Sequence, residues 1–487
     1  MDSFELLLFL LLAGAIVLFF SIQILRRESN AIWLVLLLLI SFPLSLSPDN
    51  FGFVGRASFD LRIRYGGLNP VEWLMLWITV LIFIKAIIEK KPLRFQFIAD
   101  PALRWIFIIF TLGMLHGTFR RLIAPYGETT LLAPFGAYSP IFSIIFLTIL
   151  IQNTIKTPEE LFRSLRIYWY FLYLVLMYGI ILLILFFLGI YKTFSFEGSM
   201  PIILYEQLLL FFYPIAFFVI SRRMELPKLW SPSKIAIFLM IFFILISTRR
   251  LEYISAVTIP IIAYSAGKKA GIFSKRHWSF PLKRLLITIP LILFLYYILP
   301  LPGKDIIYKT ILSLDLGSQY GNLSAAANRL GQLNNLFLNI HHGHAYLFGF
   351  GLGTFWKEIV PVEHSLGSGF FNLLEQGYTS FPQFHIPIVS LLFRFGYLGT
   401  AILICIFIWY FKNIVRTARV LPNVWCQAHY LSISAFALLF LLFLGDTRSP
   451  AIAYVGILLG FAETIKTLAL KYPDDFYGMT RDSGRLF

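Results

Sequence analysis

Residues 167–190 read Ile-Tyr-Trp-Tyr-Phe-Leu-Tyr-Leu-Val-Leu-Met-Tyr-Gly-Ile-Ile-Leu-Leu-Ile-Leu-Phe-Phe-Leu-Gly-Ile. No charged side chain interrupts the run, and apolar residues do not alternate with polar ones. As a helix it would be about 36 Å long, enough to cross a hydrocarbon layer about 30 Å thick. A membrane-spanning strand would need only about ten residues and would alternate. Backbone in lipid must satisfy its own hydrogen bonds, which leaves helices or closed barrels, and the continuous pattern predicts helices.

Similar runs recur along the chain. They place spans at about 5–25, 31–47, 70–88, 102–118, 137–152, 167–190, 199–220, 234–248, 251–266, 284–300, 386–411, 427–444 and 450–466. The predicted fold class is an all-α polytopic membrane protein of about thirteen transmembrane helices with one long outer loop. Residues 1–300 form a bundle of about ten helices, 301–385 the loop, 386–466 the last three helices and 467–487 a tail. Composition agrees: 58% of residues are hydrophobic, 14% are charged and mean hydropathy is +0.78. Soluble domains carry roughly 25% charge. The N-terminus, Met-Asp-Ser-Phe-Glu, has no basic leader, so the first run reads as a retained helix.

A net charge of +16 would suit nucleic acid, but the basic residues punctuate the ends of apolar runs and form no stripe with interleaved aromatics. They read as a topology signal. With the N-terminus outside, the cytoplasmic loops and tail hold 27 of the 41 basic residues. The chain is then expected in a bacterial cytoplasmic membrane, with its C-terminus cytoplasmic and residues 301–385 outside. Nine basic residues fall in the short outer loops: Arg56, Arg62, Arg64, Arg120, Arg121, Lys192, Arg249, Arg250 and Arg448. Eight are arginine, whose planar fork binds phosphate bidentately and keeps its charge when partly desolvated. An anionic ligand or lipid headgroups would each explain them. Arg249 and Arg250 sit in a short hairpin between apolar helices, where charge is costly and usually functional; Glu252 could instead neutralise them. Two cysteines, Cys405 and Cys426, offer no disulfide framework or thiol metal site, and both are expected near helix ends.

The outer loop is rich in glycine and asparagine and carries five of the eight histidines. Residues 320–337 read as an amphipathic helix around Arg329. Gly349-Phe-Gly-Leu-Gly-Thr-Phe355 is a glycine-rich turn without the Lys-Ser/Thr ending of a P-loop. His341, His342 and His344 lack the spacing that places two imidazoles on one helix face, and read as a solvated cluster rather than a metal site. His385 lies just before Ile-Pro at the start of a membrane helix, where the helix dipole favours a neutral imidazole. Neutral imidazole is the form a general base requires.

Arg329, the turn 349–355, and the stretch from His385 through Arg394-Phe-Gly396-Tyr-Leu-Gly399 resemble the O-antigen ligase and O-antigen polymerase family. Ser247-Thr-Arg249-Arg250 is similar to that family's Ser/Thr–Arg element. The chain departs from the pattern at Ile386, commonly asparagine, at Arg394, commonly acidic, and in having ten spans ahead of the loop. The resemblance implies a GT-C-like membrane glycosyltransferase of the cell envelope acting in polysaccharide biosynthesis. The donor would be a glycan linked to undecaprenyl diphosphate, and the acceptor a sugar hydroxyl on a lipid-linked glycan or a lipid A core. Arg249, Arg250 and Arg329 would bind the diphosphate, and His385, together with Arg329, would be catalytic. No metal or other cofactor is implied. The competing class is a transporter or flippase of lipid-linked glycans, which would need more charge inside the spans than Glu72, Glu206 and Arg394 supply.

Overall fold

The computed structural model describes residues 70–89, 97–123, 133–188, 208–224, 226, 233–246, 250–273, 325–354, 356–357, 359, 380–381, 387–442 and 452–476, with scattered positions between 14 and 34. Among these, eleven helices follow in chain order. They are α1 (Pro70–Ile88), α2 (Pro101–Ile123), α3 (Ala133–Thr154), α4 (Pro158–Phe187), α5 (Leu209–Arg223), α6 (Lys234–Ile246), α7 (Arg250–Lys269), α8 (Ala325–His342), α9 (Pro387–Val420), α10 (Val424–Leu442) and α11 (Ile452–Lys471). One two-residue strand pair, β1 (Trp356–Lys357) and β2 (Ser380–Phe381), is antiparallel with Trp356 opposite Phe381. Segments within α2, α4, α9 and α10 are long and apolar enough to cross a membrane, and shorter apolar helices lie within α1, α3 and α6. The chain is thus a helical, membrane-type protein. The expected spans at 31–47 and 284–300 lie outside the described residues, apart from Leu34.

Polar caps, rather than hydropathy, set several helix starts. α4 begins nine residues ahead of the expected 167 because Thr157-Pro158-Glu159-Glu160 makes a cap. The Glu160 N–H donates to Thr157 Oγ1 at 3.2 Å, and the Glu160 carboxylate accepts the Lys156 N–H at 2.8 Å. Asp100 caps α2 by accepting the N–H groups of Ala102 and Leu103. α9 runs nine residues past the expected 411, through Lys412-Asn-Ile-Val-Arg-Thr-Ala-Arg419, and stops before Pro422.

The tightest helix pair is α3 with α11, where Gly456-Ile-Leu-Leu-Gly460 lets two backbones approach. A Cβ on Gly456 would lie 2.8 Å from Leu147 Cβ, and one on Gly460 2.7 Å from Ile151 Cβ. Small residues four apart are the usual device where lipid offers no hydrophobic drive between helices.

α2, α9 and α11 are also joined through a buried polar cluster. Glu463 Oε2 accepts the Asp100 N–H at 2.9 Å, Asn413 Nδ2 donates to Asp100 Oδ1 at 3.2 Å, and Lys466 Nζ pairs with Asp100 Oδ2 at 3.2 Å. Nearby, His429 of α10 shares a 2.5 Å hydrogen bond with Tyr213 of α5 and stacks on Phe217 at 4.0 Å. Glu463 and His429 fall inside predicted spans, so the spans carry more ionisable groups than Glu72, Glu206 and Arg394. Cys426 is near a helix end as expected, whereas Cys405 sits mid-helix in α9 and is exposed.

Candidate functional site

α9 is two helices joined at a break. Gly396 has φ 67° and ψ −171°, outside helical values, so the N–H groups after it and the carbonyls before it lose their usual intrahelical partners. In a membrane such groups are expensive to leave bare. Residues 346–351 of the predicted loop supply replacements. Tyr397 N–H donates to Tyr346 O at 2.7 Å, and the N–H groups of Leu398 and Gly399 both donate to Leu347 O. In the other direction, Phe350 N–H donates to Phe393 O at 2.9 Å and Gly351 N–H to Arg394 O at 2.8 Å. Thr400 Oγ1 reaches back across the break to Leu391 O. One loop segment therefore caps both broken ends.

Glycine makes this approach possible. A Cβ on Gly349 would meet Gly396 N and the Arg394 carbonyl carbon, both at 2.5 Å, and Gly349 itself has φ +66°, a conformation side chains rarely adopt. On its other flank the turn lies across α2, where Leu352 N–H donates to Gly113 O at 2.9 Å.

The last turns of α2 hold the same segment with side chains. Arg120 donates to Gly349 O at 2.9 Å and to Gly343 O, and its guanidinium lies 4.5 Å from the centre of the Phe350 ring. Arg121 donates to Gly353 O at 3.1 Å, and His116 Nε2–H donates to Gly349 O at 3.2 Å. Arg120 and Arg121, expected in an outer loop, stand in the last turn of this helix, and each guanidinium serves main-chain carbonyls there. The charged donors meet carbonyl dipoles in a partly desolvated setting, where such bonds are strong.

α8 completes the arrangement. Its Leu336 and Ile340 pack with Phe350, Trp356, Val389 and Phe393 in a small separate core. Two asparagines one turn apart bind β1 as a neighbouring strand would. Asn339 Nδ2 donates to Lys357 O and Asn339 Oδ1 accepts Lys357 N–H, while Asn335 Oδ1 accepts Ile359 N–H. β1 in turn pairs with β2, four residues before His385 in sequence. The predicted amphipathic helix around Arg329 is therefore present, shifted to Ala325–His342. His341 and His342 lie in its last turn, and His341 Nδ1 hydrogen-bonds the Tyr346 hydroxyl. Arg394, counted among the charges inside the spans, is buried beside the break at Gly396.

The four predicted site residues fare differently. His385 and Arg249 lie outside the described residues. Arg250 opens α7. The far end of that helix meets the far end of α9, where Arg419 donates to Lys269 O. That contact joins the far ends of the two helices and does not place Arg250 against the turn or the start of α9. Arg329 lies on α8, which packs on the first half of α9. What the fold brings together is α8, the turn 349–354 and the start of α9. The turn and the Arg394–Gly399 stretch, separated by more than forty residues in sequence, are directly hydrogen-bonded. No protein-family model matches the chain, and neither does any curated protein.

Proposed function

We propose that the chain is a membrane glycosyltransferase of about thirteen transmembrane helices, resembling O-antigen ligases and polymerases, with its N-terminus and residues 301–385 outside the cytoplasmic membrane. The observation that supports it best is the junction at Gly349 and Gly396. Two of the short motifs that carry the resemblance, the turn at Gly349 and the stretch Arg394–Gly399, are partners in one backbone network, beside α8.

In this reading the donor is a glycan on undecaprenyl diphosphate. His385 accepts the proton of the acceptor sugar hydroxyl as its oxygen attacks the anomeric carbon from the face opposite the leaving group. The anomeric C–O bond breaks, undecaprenyl diphosphate departs, and the configuration inverts. Arg249, Arg250 and Arg329 stabilise the charge that grows on the leaving diphosphate, where fixed cations lower the barrier most. No metal is needed for that role.

A second reading, a carrier of lipid-linked glycans, gains from the broken helix α9 and the buried Asp100–Glu463–Lys466 cluster, features that transporters also use. One experiment separates the two. Purified protein in detergent is given a radiolabelled undecaprenyl-diphosphate oligosaccharide and an unlabelled lipid-linked acceptor. An enzyme lengthens the acceptor without any membrane, and His385→Ala abolishes the product at unchanged protein level. Absence of product from the native chain favours the carrier; product unaffected by His385→Ala removes that residue from the chemistry.

A further inference from the structure

The outward face of the turn has a separate use. Tyr346, Leu347 and Phe348 are exposed, Leu347 at 60% and Phe348 at 56%, although flanking Ala345 and Phe350 are buried. Their backbone is fixed by the hydrogen bonds to Tyr397 and Leu398, so the exposure is not that of a loose loop. Tyr397 and Leu398 are themselves exposed on α9, and Ile402 and Ile408 continue the apolar surface beyond them.

The level of this tip follows from α2. Gly349, next to Phe348, is bonded by His116, one helical turn before Arg120. On α2, exposed Trp105 follows the basic Arg104. From Arg104 to His116 is twelve residues, about 18 Å of helix. The span expected at 102–118 ends two residues past His116, which puts the tip just inside the outer boundary of the hydrocarbon layer. Exposed Leu112, Leu115, Phe119 and Leu122 carry apolar surface through the same depth on α2. On the tip's other side, exposed His341, His342 and His344 form a polar shoulder. Tyr346, the first residue of the tip, meets this shoulder through its hydroxyl on His341, the amphipathic placement favoured at a membrane boundary.

We infer that Tyr346-Leu347-Phe348 is a bilayer-inserted tip. Its partner is the acyl layer, and the three histidines lie at headgroup level. The segment belongs to the membrane domain although it is cut from the polar loop. Continuity with the exposed apolar faces of α2 and α9 selects lipid as the occupant, because a fixed apolar tip in water would forfeit roughly 25 cal/mol for each Å² left uncovered. The inference rests on the chain spanning a membrane and not on glycosyl transfer.

Nitroxide accessibility tests it. In a Cys405→Ser, Cys426→Ser background, single cysteines replace Leu347, Phe348 or His342, and the labelled chains are placed in phosphatidylethanolamine–phosphatidylglycerol vesicles. A label at native Cys405 in the Cys426→Ser chain marks the lipid-facing surface. Labels at 347 and 348 are expected to collide with oxygen and to be several-fold protected from a water-soluble nickel chelate, as at Cys405, with the reverse at 342. Nickel access at 347 and 348 equal to that at 342, or shielding from both reagents by another part of the chain, overturns the inference. A negative result would leave the glycosyl-transfer reading untouched.

Discussion

Gly351 and Gly117 meet backbone to backbone: a Cβ built on Gly351 would lie 2.2 Å from the Gly117 nitrogen and 2.3 Å from its Cα. Both partners are main chain and neither can give way as a flexible side chain would. The contact sits one turn of α2 away from Arg121, whose guanidinium holds the Gly353 carbonyl. The turn is therefore fixed from below by absence of side chains and from above by charged donors.

Gly351→Ala is expected to destabilise the protein by at least about 2 kcal/mol, since a residue at φ +81° is strained before any clash is counted. Gly271 provides the control. It has φ +76° but nothing within 4 Å of a built Cβ, so Gly271→Ala carries the conformational cost alone. Thermal unfolding of the two detergent-solubilised variants should place Gly351→Ala several degrees below Gly271→Ala. Equal midpoints would mean that the contact with Gly117 contributes nothing.

At the opposite end of α2, Lys466→Met should cost about 3 kcal/mol, because it leaves the wholly buried Asp100 carboxylate beside Glu463 without its cation. The Lys466 side chain is 16% exposed, which holds the figure to the lower part of the range for buried pairs. Adding Asp100→Asn, which keeps an oxygen for capping α2, should restore most of the loss. Heating followed by size-exclusion of the folded fraction reads both. A double variant no better than Lys466→Met alone would show that charge is not what the cluster balances.

Arg329→Lys keeps the positive charge on α8 and removes the planar fork. If the residue binds diphosphate bidentately, transfer to the lipid-linked acceptor should fall by roughly 10-fold or more, at about 1.4 kcal/mol for each factor of ten. Unchanged transfer would reduce Arg329 to a point charge.

The helical class and most helix positions were legible, because a run such as Ile167–Ile190 admits few other structures. Helix ends were less so. Thr157 and Glu160 pull the start of α4 into a polar stretch that hydropathy assigns to a loop. The pairing of the turn 349–353 with the break at Gly396 was not legible, because its information lies in main-chain groups and in glycines that leave no hydropathy trace. The Gly113-x-x-x-Gly117 and Gly456-x-x-x-Gly460 spacings were signals that could have pointed to close backbone approach. Arg120 and Arg121 stand out in the sequence, but charge alone does not distinguish a residue kept for a ligand's phosphate from one kept for a carbonyl. Glu463 and His429 were missed because each lies singly inside an apolar run, with its partner far away in sequence.

The break in α9 also orders the making of the protein. Residues 346–351 leave the ribosome before 393–399, and until the latter exist the turn has no partners for the N–H groups of Phe350 and Gly351. Closure of this end of the bundle must therefore await insertion of the segment beginning at Pro387. A nascent chain halted short of it would carry the capping turn without the two helix ends it caps.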